Sequence, residues 1–245
     1  HSLDRRQRQM CIRDRIMRYL SFLLIFFWYT AISQTIATDR PSALTENSTS
    51  LYKNGIQLES GFLIQRDSGE TQPISAPNLL LRYGLTEKTE LRLMNDVLVN
   101  EGIVELGIWT IGTKIQLFES DKMNLSVLPS IQIPSVYGEI GSLSEQPINA
   151  KLIGNYVVNN ANSVGYTIGY TFNNSQIGYS LFLGHNFSDK ISTFIELYGF
   201  NDQLNIDAGL AYLIQEKLQF DAYFGTGLNN KMVFASVGLS YLYLK

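Results

Sequence analysis

Side chains alternate between two types along most of this chain. In the stretch VGYTIGYTF (164–172), every second residue is aliphatic or aromatic, and the residues between them are Gly or Thr. A period of two is typical of a β-strand whose side chains point to two faces in turn. No stretch after residue 33 shows the apolar stripe of a helix, so the sequence predicts an all-β fold.

Twelve segments of about ten residues carry this alternation. Tight polar turns at 86–89, 188–190 and 215–217 follow even-numbered segments, and the longest connections, 67–77 and 134–147, follow odd-numbered ones. Short turns at one end and longer loops at the other are typical of outer-membrane barrels. The predicted strands are 55–66, 78–86, 90–99, 106–118, 124–133, 149–159, 164–172, 177–187, 191–200, 204–214, 218–226 and 233–244.

One face of these strands stays apolar, and the other carries Gly, Ser, Thr, Asn and Gln with scattered charges. Lipid cannot form hydrogen bonds with the backbone, so every backbone N–H and C=O group must pair within the protein. Only helices and closed barrels meet this requirement and span the membrane. Ten residues rising about 3.3 Å each and tilted near 45° cover roughly 23 Å, close to the apolar band of about 25 Å. The sequence therefore predicts a twelve-stranded antiparallel transmembrane outer-membrane β-barrel; a soluble β-sandwich or lipocalin-like barrel is the alternative. Tyrosines expected at the membrane interfaces are Tyr83, Tyr166, Tyr179, Tyr198, Tyr212, Tyr241 and Tyr243.

The N-terminal part divides into three pieces before the barrel at 55–245. Residues 1–16 are basic, show no periodicity and resemble a translated assembly artefact, although a natural basic arm is the alternative. Residues 17–33 have the charged, apolar and small-residue regions of a signal peptide. Residues 34–54 are a polar periplasmic lead-in or plug. Without residues 1–33 no Cys remains, which excludes disulfides. The net charge of this remaining chain is −7, which argues against nucleic-acid binding.

If the apolar face meets lipid, the charged residues of the other face line the lumen. They form either a polar channel or a paired structural network that fills the barrel. Asp39 and Arg40 of the lead-in are plug candidates, with a flexible periplasmic tail as the alternative. The lumen-lining candidates are Glu59, Arg82, Glu90, Arg92, Asp96, Lys114, Lys151, Glu196, Asp207 and Asp221.

Catalysis finds little support in the sequence. After residue 33 the only histidine is His185, and position 187 is Phe rather than the Ser that a barrel phospholipase has two residues after its catalytic His. One His and no Cys leave only carboxylates as metal ligands. We therefore predict no enzyme activity, no metal and no cofactor.

Several stretches resemble a known family. They are TDRPSALTENSTSLYKNGIQLESGF (38–62), LLRYGLTEKTELRL (80–93), GTKIQL (112–117), 194–200 and 206–214. Together they resemble the outer-membrane barrels known as phenol meta-pathway degradation proteins or simply as transporters, over residues 37–245. The resemblance implies a Gram-negative outer membrane and uptake of small compounds, with aromatic compounds among the candidates.

The expected function is passage of small hydrophilic or aromatic solutes through a polar lumen. The alternatives are a closed structural barrel that acts through loops 67–77 and 134–147, and a lipid-modifying enzyme. Expected partners are outer-membrane lipids, the outer-membrane insertion machinery and the solutes themselves. The pattern of the last strand resembles the C-terminal signal that this machinery recognises; its residues are Ser236, Gly238, Tyr241 and Tyr243.

Overall fold

The computed structural model describes residues 36–133 and 146–243. The predicted artefactual segment 1–16, the signal peptide 17–33 and most of the loop 134–147 lie outside these residues. Within them, no helix is long and apolar enough to cross a membrane. All regular structure is β, as the period-two pattern predicts.

Fourteen strands form one antiparallel sheet. Their bounds are β1 Ile56–Asp67, β2 Glu70–Thr71, β3 Ile74–Gly84, β4 Thr89–Asn100, β5 Ile103–Leu106, β6 Trp109–Glu119, β7 Met123–Ile133, β8 Ile148–Val157, β9 Asn162–Thr171, β10 Gln176–Asn186, β11 Ile191–Phe200, β12 Gln203–Gln215, β13 Leu218–Gly227 and β14 Met232–Tyr243.

Twelve of these strands close into a barrel, which confirms the predicted fold and strand number. The closing pair is β1 with β14, in register from Ile56 opposite Tyr243 to Asp67 opposite Met232. The sheet therefore has no free edge along the barrel, as a spanning sheet requires. The short strands β2 and β5 only extend hairpins, by pairing with the ends of β1 and β4.

Two strand boundaries differ from the prediction by more than two residues. The third strand of the chain begins at Ile74 rather than 78, because the connection after β1 folds into a hairpin with Ser68 and Gly69 at positive φ. The predicted strand 106–118 begins at Trp109 instead, because residues 103–106 form β5, which turns back on β4 through Glu101 and Gly102, also at positive φ. A two-residue turn with both φ values positive matches the twist of a hairpin.

The two faces of the barrel are as different as the alternation predicts. On β1, Leu58 is 44% exposed while Gln57 and Glu59 are at most 1% exposed. Six of the seven predicted interface tyrosines lie on the outer face. Tyr198 does not: it is 6% exposed and packs inside the barrel, because it shares the inward face of β11 with Phe194 and Glu196.

Candidate functional site

Residues 36–52, called here the inserted segment, lie inside the barrel. The segment enters at the end where β1 begins, which we call the N-terminal end. There Ile36 and Leu51 pack against Leu213 and Leu242, which lie near the C-terminal ends of β12 and β14. The predicted lead-in thus continues directly into the lumen.

The inserted segment forms polar contacts with all twelve barrel strands. Residues 39–40 reach β1, β3, β13 and β14; residues 43–45 reach β10, β11 and β12; residue 46 reaches β8 and β9; residues 47–51 reach β4, β6 and β7. The backbone N–H of Asn47 also donates to Asp39 Oδ1 at 2.7 Å, which closes the segment into a loop. The segment therefore spans the cross-section of the barrel.

Arg40 occupies a slot between β1, β13 and β14. Its Nε and Nη2 donate to Asp221 Oδ1 at 3.1 and 3.0 Å, and its Cζ lies 5.5 Å from the Tyr223 ring centroid. Gly61 and Gly238, directly opposite each other on β1 and β14, leave room for the guanidinium. A Cβ at either glycine would lie about 2.5 Å or less from the guanidinium atoms.

Asp39 lies among cations on the other side of the loop. Its carboxylate is 2.5 Å from Arg92 Nη1 and 3.3 Å from Lys114 Nζ. Burial by itself raises the pKa of the Asp39 carboxyl, but the charges of Arg92 and Lys114 more than offset this and hold the pKa well below its usual value. Asp39 is therefore an anion at neutral pH.

Arg82 on β3 links two wall carboxylates beneath the inserted segment. It makes a bidentate contact with Glu90 (Nε–Oε1 2.7 Å, Nη2–Oε2 2.8 Å), and its Nη1 lies 3.0 Å from Glu59 Oε1. Arg82 Nη1 also donates to the Ala37 carbonyl at 2.6 Å. All three charged side chains have no exposed surface, so each depends on its partners for charge balance.

Glu196 and Asp207, opposite each other on β11 and β12, bind backbone amides rather than cations. Glu196 accepts hydrogen bonds from the N–H groups of Ala43 and Thr45 at 2.9 and 2.6 Å. Asp207 Oδ2 accepts a further bond from the Ala43 N–H at 3.1 Å. Successive amides that converge on a carboxylate form an anion-binding turn.

Glu46 joins the loop to the remaining wall. It forms ion pairs with Lys151 and, at 3.1 Å, with Arg92. Burial raises the pKa of Glu46, but the charges of Lys151 and Arg92 outweigh it and leave that pKa lowered. The Lys151 side chain is 27% exposed, which makes this the most exposed ion pair in the described interior.

Nine of the ten candidate lumen residues contact one another or the inserted segment. Asp96 is the exception, because it is exposed and no ion pair joins it to the described residues. It lies opposite Asn78, whose side-chain oxygen accepts from Arg40, so Asp96 shares the inward face at the end opposite the N-terminal end, where it is exposed. Asp39 and Arg40 both lie within the barrel, as the plug hypothesis requires.

The sequence analysis missed three parts of the interior. Glu46 was not a candidate, although it lies in the same polar stretch as Asp39. The glycine pair Gly61 and Gly238 was not a candidate either. An inward aromatic cluster around Leu44 was also missed; Tyr223 on the polar face of β13 was its one sequence signal. The cluster consists of Phe194, Tyr198, Tyr223 and Phe234, with Phe182, Phe200, Leu63 and Met232 against it.

A cavity of about 700 Å³ lies between the inserted segment and the wall formed by β7 to β11. Residues of the turns at the N-terminal end, Asp121, Asn159 and Asn160, line its rim. On the side of β8 to β11 the segment is held by contacts with Lys151, Thr167, Ser180 and Glu196, and the cavity lies between these contacts and the N-terminal end of the barrel.

His185 lies at the strand end, where its Nδ1 is 2.8 Å from Asn162 Oδ1 and its ring contacts Phe187 edge to face. In the part of the chain that the structure describes, no group of three or more His, Cys, Asp or Glu side chains is arranged to hold a metal ion.

A closed barrel with an apolar outer face and a charged interior defines the chain as a porin-like outer-membrane β-barrel. The family described as "Putative MetA-pathway of phenol degradation" matches residues 38–243, and the chain belongs to that family. No curated protein sequence matches the chain.

Two of the solved structures that resemble the fold are KdgM porins. A KdgM porin in complex with disordered oligogalacturonate aligns with a TM-score of 0.60 at 12% identity, over 77% of this chain and 99% of the porin. A second KdgM porin structure gives a TM-score of 0.58 at 12% identity, over 76% and 99% of the two chains. At this identity the likeness concerns the fold.

Proposed function

We propose that the protein lies in the outer membrane of a Gram-negative bacterium and lets small solutes pass through its lumen, with the inserted segment as a closing element. The observation that supports this proposal is that the polar interior holds the inserted segment, which is not part of any barrel strand. That stretch is held by hydrogen bonds and ion pairs to all twelve strands, not by a continuous apolar core. Such contacts can be exchanged for water when the segment leaves.

The porin names of the two structural neighbours support passage of solutes. The family description adds phenol-related compounds as candidate solutes. The exposed apolar face supports contact with outer-membrane lipid, and export would use the predicted signal peptide 17–33 and the insertion machinery. The proposal includes no enzyme activity, because Asn162 holds one ring nitrogen of His185 and Phe187 occupies the position two residues on.

A permanently closed structural barrel is the second candidate. The observation that favours it is the completeness of the contacts, since residues 39–51 reach every barrel strand. In that case the function would lie in the loops at the end opposite the N-terminal end.

Planar-bilayer conductance separates the two candidates. The refolded full chain is compared with a variant that lacks residues 36–52, and folding of both is checked by the heat-dependent shift in gel mobility. Passage predicts that the deletion raises the single-channel conductance several-fold. A folded, inserted deletion variant without current above background would contradict passage and leave the closed barrel.

Gly238→Ala tests the closing element without removing it. Because the new Cβ would meet the Arg40 guanidinium, we expect the segment to loosen and channel openings to become more frequent. Gly169→Ala is the matched control, since its Cβ would meet only Lys151 Cγ at 3.2 Å and two more distant atoms. Equal opening frequencies in the two variants would show that the Arg40 slot does not hold the lumen closed.

A further inference from the structure

The cavity beside the inserted segment has a chemically distinct wall. Its inward-facing polar side chains come from β7 to β11 and are Asn124, Asn155, Ser163, Asn186 and Ser192. All five are neutral, and Asp121, in the turn at the rim, is the one acidic residue that the wall contributes to the described lining. The charged lining residues Asp39, Arg40 and Glu46 belong to the inserted segment and already form ion pairs.

Two glycines in this wall let neighbouring side chains pack close to the backbone. Gly165 lies opposite both Asn155 and Phe182, and Gly184 lies opposite both Ser163 and Phe194. At Gly184 a Cβ would lie 2.8 Å from Ser163 Oγ. The rings of Phe182 and Phe194 stack with centroids 5.0 Å apart and add an apolar surface to the same cavity.

We propose that this cavity is a binding site for neutral, hydroxyl-rich solutes such as sugars. This inference rests on the proposed passage function, because it assigns a solute class to that lumen. Its volume of about 700 Å³ falls in the range of about 300–1,000 Å³ that is typical of small-molecule sites.

The chemistry of the wall determines the solute class. Amide and hydroxyl side chains both donate and accept hydrogen bonds, which matches the hydroxyl groups of a sugar. The stacked phenyl rings suit the apolar faces of sugar rings. A charged solute would lose its hydration without meeting an unpaired opposite charge, which makes its entry unfavourable.

Isothermal titration calorimetry on the refolded full chain in detergent tests the site. The probes are maltotriose, which is neutral, and trigalacturonate, an acidic sugar of the same length. We expect maltotriose to bind at least tenfold more tightly than trigalacturonate. Equal or tighter binding of trigalacturonate, or no binding of maltotriose, would overturn the proposal.

Substitutions at Asn155 test whether maltotriose binds within the cavity. Asn155→Leu keeps the size but removes the amide, so we expect maltotriose to bind at least fivefold more weakly. Asn100→Leu makes the same change at the exposed end of β4, outside the cavity lining, and serves as the control. A loss no larger in N155L than in N100L would overturn the assignment.

Asn155→Lys adds the charge that the wall lacks. It should raise the affinity for trigalacturonate at least fivefold over the wild type, and an unchanged affinity would contradict the role assigned to neutrality. Failure of the proposed function is distinguishable from failure of this inference. Bilayer current through the deletion variant together with no maltotriose binding rejects the site alone, whereas binding without any current rejects passage alone.

Discussion

The two walls of the barrel interior share one exterior but differ inside. The wall of β1, β3, β4 and β6 carries Glu59, Arg82, Glu90, Arg92 and Lys114, and it packs tightly against the inserted segment. The wall of β7 to β11 carries mainly amide, hydroxyl and glycine residues along its N-terminal half. There the cavity separates β8 to β11 from the segment, while Ser126 of β7 donates to the Ser48 carbonyl. Both walls present the same exposed aliphatic face to the outside.

This difference separates two tasks that a luminal face can perform. Charges buried in pairs hold a segment in one position, because each charge left without its partner is costly. Neutral polar side chains can exchange their hydrogen bonds with water or a solute at little cost. A barrel can therefore hold a closing element on one side and keep space for a solute on the other.

The largest expected effect breaks the charged wall at Arg82. Arg82→Met leaves Glu59 and Glu90 without their shared cation and should lower the free energy of unfolding by about 3–5 kcal/mol. Urea titration of the refolded protein in lipid vesicles measures it. Arg66→Met is the matched control, since Arg66 is at the rim and its Nη2 donates to the exposed Gly69 carbonyl. A change in R82M within about 0.5 kcal/mol of R66M would contradict the difference between the walls.

A smaller effect, dependent on pH, is expected at Asp39. Asp39→Asn removes the anion between Arg92 and Lys114 and should cost about 1.5–3 kcal/mol at neutral pH, the range of hydrogen bonds to charged groups. Because the pKa of Asp39 is lowered in the folded protein, its stabilising effect is complete above the ordinary carboxyl pKa of about 4 and is lost as the pH falls through the lowered value.

Urea titrations of wild type and D39N from pH 7 to pH 3 measure this dependence. The stability difference between the two should shrink in the acidic part of that range. Asp202→Asn, at an exposed turn, provides the control with no expected difference at any pH. A D39N difference that stays constant down to pH 3 would show that Asp39 acts through hydrogen bonding alone.

Much of this arrangement follows from the sequence because the membrane fold imposes a simple code. Alternation gives each residue its face, so the inward positions of Glu59, Arg82 and Glu196 could be read from their own strands. The lead-in could be suggested as a plug because Asp39 and Arg40 are charged residues next to a charged lumen. Strand ends were less predictable where hairpins extend beyond the barrel, as at Ile74 and Ile103.

The pairing of these charges depends on strand neighbours and could not be read from the sequence. Gly61 and Gly238 are 177 positions apart, and only barrel closure brings them together around Arg40. Tyr198 was assigned to the membrane interface by the usual preference of tyrosine, but it follows the parity of β11 and faces inward beside Phe194. Parity along the strand outweighed residue type there.

The smallest expected effect lies on β8, within the second wall. Lys151 on β8 pairs with Glu46, but it is 27% exposed, and Glu46 keeps Arg92 as a second cation when Lys151 is lost. Lys151→Met should therefore lower the free energy of unfolding by only about 0–1 kcal/mol, as for exposed ion pairs. The same urea titration used for R82M measures it. A loss in K151M as large as that in R82M would mean that the segment depends equally on both walls. The wall of β7 to β11 would then not be free to exchange its contacts with the segment for contacts with a solute.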